Sequence, residues 1–300
     1  MGSVNNFGGE LAALGAAFLW AMSAVVYARL GQKIPPLALN LSKGVIAIAL
    51  IALTLIVQRN YLTEIDAVAL GLLLLSGVLG IGLGDTFYFE ALNSLGARRT
   101  LLLEALAPPL AALIALTFLQ EALSLRAWAG IVLTVSGVAW VISERVPNSA
   151  SKAVKPLRGI SFALLAALGQ AIGAVLSRSA LVDTTLSPLW STLLRLVGGV
   201  LVLLLWIPLQ RQPRLWFKPL QSKKLLSMIT LTALFSTYLG ILLQQTALKY
   251  TATGIAQALI STSPLFVLPI SAWMGEVVSF RALLGVLVAL GGIGLLFTWQ

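Results

Sequence analysis

One passage occurs twice in this sequence. Pro109, Glu121, Arg126, Gly130 and Gly137 recur as Pro264, Glu276, Arg281, Gly285 and Gly292, every pair 155 residues apart and set in apolar surroundings. Five residues kept in order at one offset point to a chain of two related halves. Between them, Glu144 to Arg158 carries Pro147, Asn148, Ser149, Ser151, Lys152, Lys155 and Pro156, the longest polar interruption before residue 160. The halves are expected at 1–143 and 158–300, joined by a polar, basic linker at 144–157.

Composition fixes the medium in which those halves fold. Apolar residues make up 59% and charged residues 10%, against about 45–50% and about 25% in soluble domains. So few charges do not cover a water-facing surface, whereas the long apolar stretches meet the roughly 20-residue requirement for crossing a bilayer. The net charge of +10 has no polar domain to carry a basic groove, so nucleic acid is not an expected partner. With no cysteine and no histidine, disulfides and the usual metal ligands are absent, and neither a metal nor another cofactor is expected. No cleavable signal is expected either, because the first apolar segment belongs to the repeated architecture.

Ten spans are expected, at about 9–28, 36–57, 67–91, 98–119, 125–143, 158–177, 187–207, 225–247, 252–272 and 281–299. Each is helical, since a helix satisfies its own backbone in lipid. Five spans per half is an odd number, so parallel connectivity inserts the second half upside down relative to the first. The fold class is thus an all-α polytopic membrane protein: two inverted five-helix repeats around a central cavity, an arrangement suited to alternating access. Of the 20 basic residues, fourteen fall on the side opposite both termini, four on the terminal side (Arg59, Arg126, Arg178, Lys249), and Lys43 and Arg195 within spans. By the positive-inside rule this bias directs the termini away from the cytoplasm.

Charges at membrane depth cost roughly 2.5–3.5 kcal/mol each when exposed to lipid. Lys43, Asp85, Glu90, Glu104 and Arg195 are therefore expected to face an interior or one another. Two readings stand for Asp85: a proton- or cation-binding carboxylate, or a structural partner of Lys43 or Arg195. Glu104 precedes Pro108-Pro109, where a proline is expected to bend the span, as Pro264 does in the second half. Lys43 and Arg195 either attract an organic anion or neutralise a neighbouring acid. Glu121 and Glu276, each followed five residues later by Arg126 or Arg281, are expected to close short turns and to pair across the interface. Trp20, Ser23, Tyr88, Gln170, Tyr238, Gln245, Gln257 and Ser261 are the expected polar lining of the cavity, with Ser177, Gln244, Thr262 and Ser263 beside them. Amides and hydroxyls there bind a polar solute without fixing its charge.

Phe18-Leu19-Trp20, Phe89-Glu90-Ala91-Leu92 and Pro109 through Glu121 to Gly130 and Gly137 resemble the drug/metabolite transporter superfamily. So do Thr246-Ala247-Leu248, Pro264, Trp273-Met274-Gly275-Glu276, Gly285 and Gly292. The likeness is to ten-helix exporters built from two EamA-type domains, over roughly 9–143 and 158–299. It implies a basket-shaped bundle whose cavity is lined largely by spans one, three, four, six, eight and nine. It also implies export of amino acids, other small metabolites or toxic analogues across a bacterial or archaeal plasma membrane, often against protons. Related branches exchange nucleotide sugars, sugar phosphates or organic anions. The resemblance puts the termini in the cytoplasm, against the charge bias, and Gln170 stands where the first half has Trp20. An intramembrane enzyme lacks an acid–base constellation here, and a channel or non-transporting scaffold is the other alternative. No nucleotide-binding loop accompanies the spans. The expected partners are a small metabolite, membrane lipid and protons; two complete halves make a monomer sufficient, with a dimer left open.

Overall fold

The computed structural model describes residues 7–31, 33–59, 65–95, 97–143, 156–209, 222–266 and 280–297. Regular structure among the described residues is entirely helical: α1 (Gly8–Leu30), α2 (Pro36–Val57), α3 (Ala67–Leu95), α4 (Ala97–Glu104), α5 (Ala107–Phe118), α6 (Leu125–Ser143), α7 (Pro156–Leu181), α8 (Pro188–Trp206), α9 (Lys223–Tyr250), α10 (Thr253–Ile260) and α11 (Phe280–Phe297). Eight runs, α4 and α5 counting as one, are long and apolar enough to cross a membrane. The 23-residue α1 has the length as well. The chain is an all-α polytopic membrane protein.

Local signals set the helix starts. Pro36 and Pro188 open α2 and α8, where a missing N–H costs nothing. Ser187 accepts from the Trp190 N–H at 3.3 Å, and Asp66 accepts from the Ala69 N–H at 3.3 Å, as N-caps. The outward faces keep large apolar side chains such as Leu53, Ile56, Leu201 and Leu287 exposed to lipid.

Two local irregularities recur in the two halves. Gly77–Gly84 of α3 and Ala233–Leu239 of α9 are π-helical, with starts 156 and ends 155 residues apart. A π turn leaves carbonyls to be satisfied from outside. Buried Asn40 on α2 donates to Ile81 O at 2.9 Å, and more weakly to Gly82 O at 3.4 Å and Thr86 Oγ1 at 3.1 Å. Trp20 Nε1 donates to Ser236 O at 2.8 Å in the second segment.

The other irregularity concerns the prolines. The fourth span breaks at Ala105-Leu106, and the tenth helix at Ser261-Thr262 before resuming at 263–266. Both breaks lie ahead of the expected bends at Pro109 and Pro264. A proline ring clashes with the carbonyl four residues earlier: Glu104 and Ala105 for Pro108 and Pro109, Ile260 for Pro264. The helix therefore ends there, and the prolines occupy the first turn of the next segment.

Glycines bring helices to backbone contact. A Cβ on Gly137 would lie 2.6 Å from Gly285 O, and one on Gly130 3.1 Å from Gly292 O. The repeated glycines thus meet reciprocally, with α6 antiparallel to α11. In α3, Gly80 lies against Gly173 of α7, and Gly82 against Gly199 of α8. At the other extreme of the molecule the rings of Phe7 and Phe297 stand 5.3 Å apart, so both described chain ends share one end of the bundle, the terminal end.

Candidate functional site: a charged cavity

A cavity of about 280 Å³ lies within the bundle. Its lining runs from Trp20, Asp85, Gln170 and Arg195 near mid-helix to Leu92, Leu101 and Val138 toward the far end, away from Phe7 and Phe297. At the terminal end the space is filled by one cluster rich in alanine, including Ala12, Ala13, Ala16, Ala112, Ala247, Ala256, Ile255 and Leu259.

Four charged groups face this cavity: Lys43, Asp85, Glu104 and Arg195. Lys43 Nζ stands 2.5 Å from Asp85 Oδ2, and Gln170 Nε2 donates to Asp85 Oδ1 at 3.1 Å, so both carboxylate oxygens are engaged. The ammonium also lies 5.8 Å and 5.2 Å from the ring centroids of Tyr27 and Phe89. Of the two partners expected for Asp85, Lys43 is the one that pairs. Arg195, only 1% exposed, donates through Nη1 to Gln244 Oε1 at 3.0 Å, while its Nη2 fits against Gly80. Three lining residues each carry a buried polar atom without a hydrogen-bond partner: Glu104 Oε1, Arg195 Nε and Gln257 Nε2. Such groups are costly in an apolar interior unless something completes them.

Trp20, Tyr88, Gln170, Gln257, Ser261 and Pro264 also line the cavity, together with Ser263 and Gln244. Other expected residues lie elsewhere. Ser23 is buried in α1, outside the lining. The Tyr238 hydroxyl meets Thr54 Oγ1 at 3.1 Å, and Gln245 Oε1 accepts from Ser191 Oγ at 2.7 Å. Ser177 bonds Ser76 at 2.8 Å in the α3–α7 contact. Pro108 rather than Pro109 reaches the cavity, and Glu90 does not. Glu121 pairs with Arg178 at 2.7 Å, across to α7, while Arg126 and Arg281 are exposed. Glu276 lies outside the described residues.

Tyr27, Ser236 and Thr237 line the cavity without having been singled out from sequence. Spans two and seven contribute as well, through the expected Lys43 and Arg195, although the resemblance implies a lining drawn largely from spans one, three, four, six, eight and nine. No group of three or more metal-ligating side chains occurs among the described residues.

A membrane-embedded helical bundle around a charged, partly open cavity is the architecture of a solute transporter. The EamA-like transporter family profile matches residues 7–143 and again 157–298, and the chain belongs to that family. It is a transporter rather than an enzyme. No curated protein sequence matches the chain. Among solved structures 29 chains match. One, a crystal structure of a protein, shares 17% identity over 96% of this chain and 95% of its own length, with a TM-score of 0.76. At that identity the likeness carries the fold alone.

Proposed function

We propose that the chain is a secondary active transporter that moves small polar or amphipathic metabolites, amino acids foremost, by alternating access. The observation that carries the substrate reading is the pair of incomplete, opposite charges on the lining, Glu104 and Arg195. A solute bearing both an ammonium and a carboxylate completes both, whereas Lys43 and Asp85 already neutralise each other. Glu104 is the carboxylate best suited to carry a coupling proton, since no hydrogen bond holds its Oε1. A second reading, exchange of an organic anion or sugar phosphate, draws on Arg195 alone.

The transport cycle rests on ten helices in two inverted halves, 1–143 and 158–300. Three observations support that arrangement: the antiparallel α6–α11 glycine contact, the recurring π segments, and the shared end of Phe7 and Phe297, which requires an even number of crossings. The cavity extends toward the side rich in basic residues, which the charge bias makes cytoplasmic; family expectation gives the reverse. One chain encloses the cavity, so a monomer suffices.

Counterflow in proteoliposomes tests the substrate reading, using amino acids, organic anions and phosphorylated metabolites across a pH series. Saturable exchange of amino acids, lost in Glu104→Gln at unchanged folded yield, is the expected result. Saturable exchange of organic anions that ignores Glu104 favours the second reading, and flux that never saturates contradicts both.

A further inference from the structure

The terminal end of the bundle is closed by more than apolar packing. Glu121, in the turn after α5, accepts from Arg178 Nε at 2.7 Å and from the Thr253 N–H at 2.8 Å. Arg178, near the end of α7, also donates through Nη1 to Leu248 O at 2.8 Å and Lys249 O at 2.7 Å. The guanidinium thus caps the last carbonyls of α9, and the carboxylate caps the first N–H of α10. Each charge sits at the helix end whose dipole it complements. Parts of spans four, six, eight and nine are tied at one point.

We infer that Glu121 and Arg178 form a releasable latch, holding the terminal end shut and parting each time the cavity opens to that side. The inference rests on the alternating-access reading above.

Three features suit the pair to release. Its side chains are 14% and 15% exposed, at the edge of water, and the helix-end groups it caps can be capped by water once it parts. The layer beneath it is rich in alanine, whose short side chains interlock less than larger ones. Thr251 Oγ1 and Thr253 Oγ1, beside the pair, are buried with no partner, a cost that hydration on opening removes. The α6–α11 contact is built differently: there the backbones touch at glycines, with no ion pair among the described residues.

The absence of cysteine permits a one-cysteine test. Ser261→Cys places a thiol on the cavity lining, and a membrane-impermeant sulfonated maleimide is applied to either face of sided vesicles. In the otherwise unchanged chain, labelling is expected to be fast from the far face and slow from the terminal face. Adding Glu121→Gln or Arg178→Gln is expected to raise the terminal-face rate about fivefold or more, the effect of losing one net hydrogen bond, and to lower the far-face rate. Glu121→Asp serves, with the same expected direction, if the neutral variants do not accumulate.

A terminal-face rate that these substitutions leave unchanged overturns the latch alone. Equal rises at both faces also overturn it, because they report general loosening. No terminal-face labelling in any chain means that the cavity never opens there, and alternating access falls with the latch.

Discussion

Asp85→Asn should destabilise the folded protein far more than an exposed charge change. Lys43 has a side chain only 7% exposed, and Asp85 is its salt-bridge partner. Removing the carboxylate leaves an ammonium at membrane depth with the faces of Tyr27 and Phe89 as compensation. Breaking a buried pair costs about 3–5 kcal/mol. The Asp85 side chain is 19% exposed, so water reaches it and the lower end, about 3 kcal/mol, applies. Asparagine still accepts from Gln170, so the loss reports the ion pair. Lys43→Met in the Asp85→Asn background removes the stranded charge and should recover most of the loss, leaving about 1 kcal/mol or less. The assay is reversible unfolding in mixed micelles titrated with a denaturing detergent, run as a double-mutant cycle. An Asp85→Asn cost below about 1 kcal/mol, or no recovery on adding Lys43→Met, would refute the buried-pair account.

Other consequences follow from single contacts. Gly137→Leu should cost about 1–3 kcal/mol or more, because even a Cβ there comes within 2.6 Å of Gly285 O. Gly71→Ala, with nothing near its Cβ, should leave the melting temperature unchanged; equal effects would contradict the α6–α11 packing. Asn40→Leu removes the outside donor to Ile81 O in the π segment, while Gly82 O keeps its bond from Thr86 Oγ1, and should lower unfolding stability by about 1–3 kcal/mol; a neutral result means that the segment needs no outside donor. Glu104→Gln should reduce transport more than it reduces folded yield, measured by initial rate per folded molecule; equal losses would give Glu104 a structural role.

The repeated glycines were legible because backbone contact leaves one acceptable residue, and the constraint falls at the same place in both halves. Gly130 and Gly137 meet Gly292 and Gly285 for that reason. The prolines were legible as interruptions, but the break falls ahead of them, at or just after the residues whose carbonyls the rings would strike. Cavity membership was harder to read. These spans are apolar on all sides, so no periodic polar face tells which way a side chain points. Tyr238 and Gln245 accordingly face α2 and α8 rather than the cavity. Arg178 looked like a topology charge because it ends a span, and only its four-segment contact reveals another use. Asn40 did carry a signal: an amide within an apolar span, 155 residues before Arg195, at matching places in two related halves.

The inversion of the two halves is the premise of the transport account, and equivalent positions test it directly. Ser124 and Ser279, 155 residues apart, follow the fourth and ninth spans. Single cysteines introduced at the two positions should react with an impermeant thiol reagent from opposite faces of the membrane. Reaction of both from the same face would place the halves in the same sense and contradict the account.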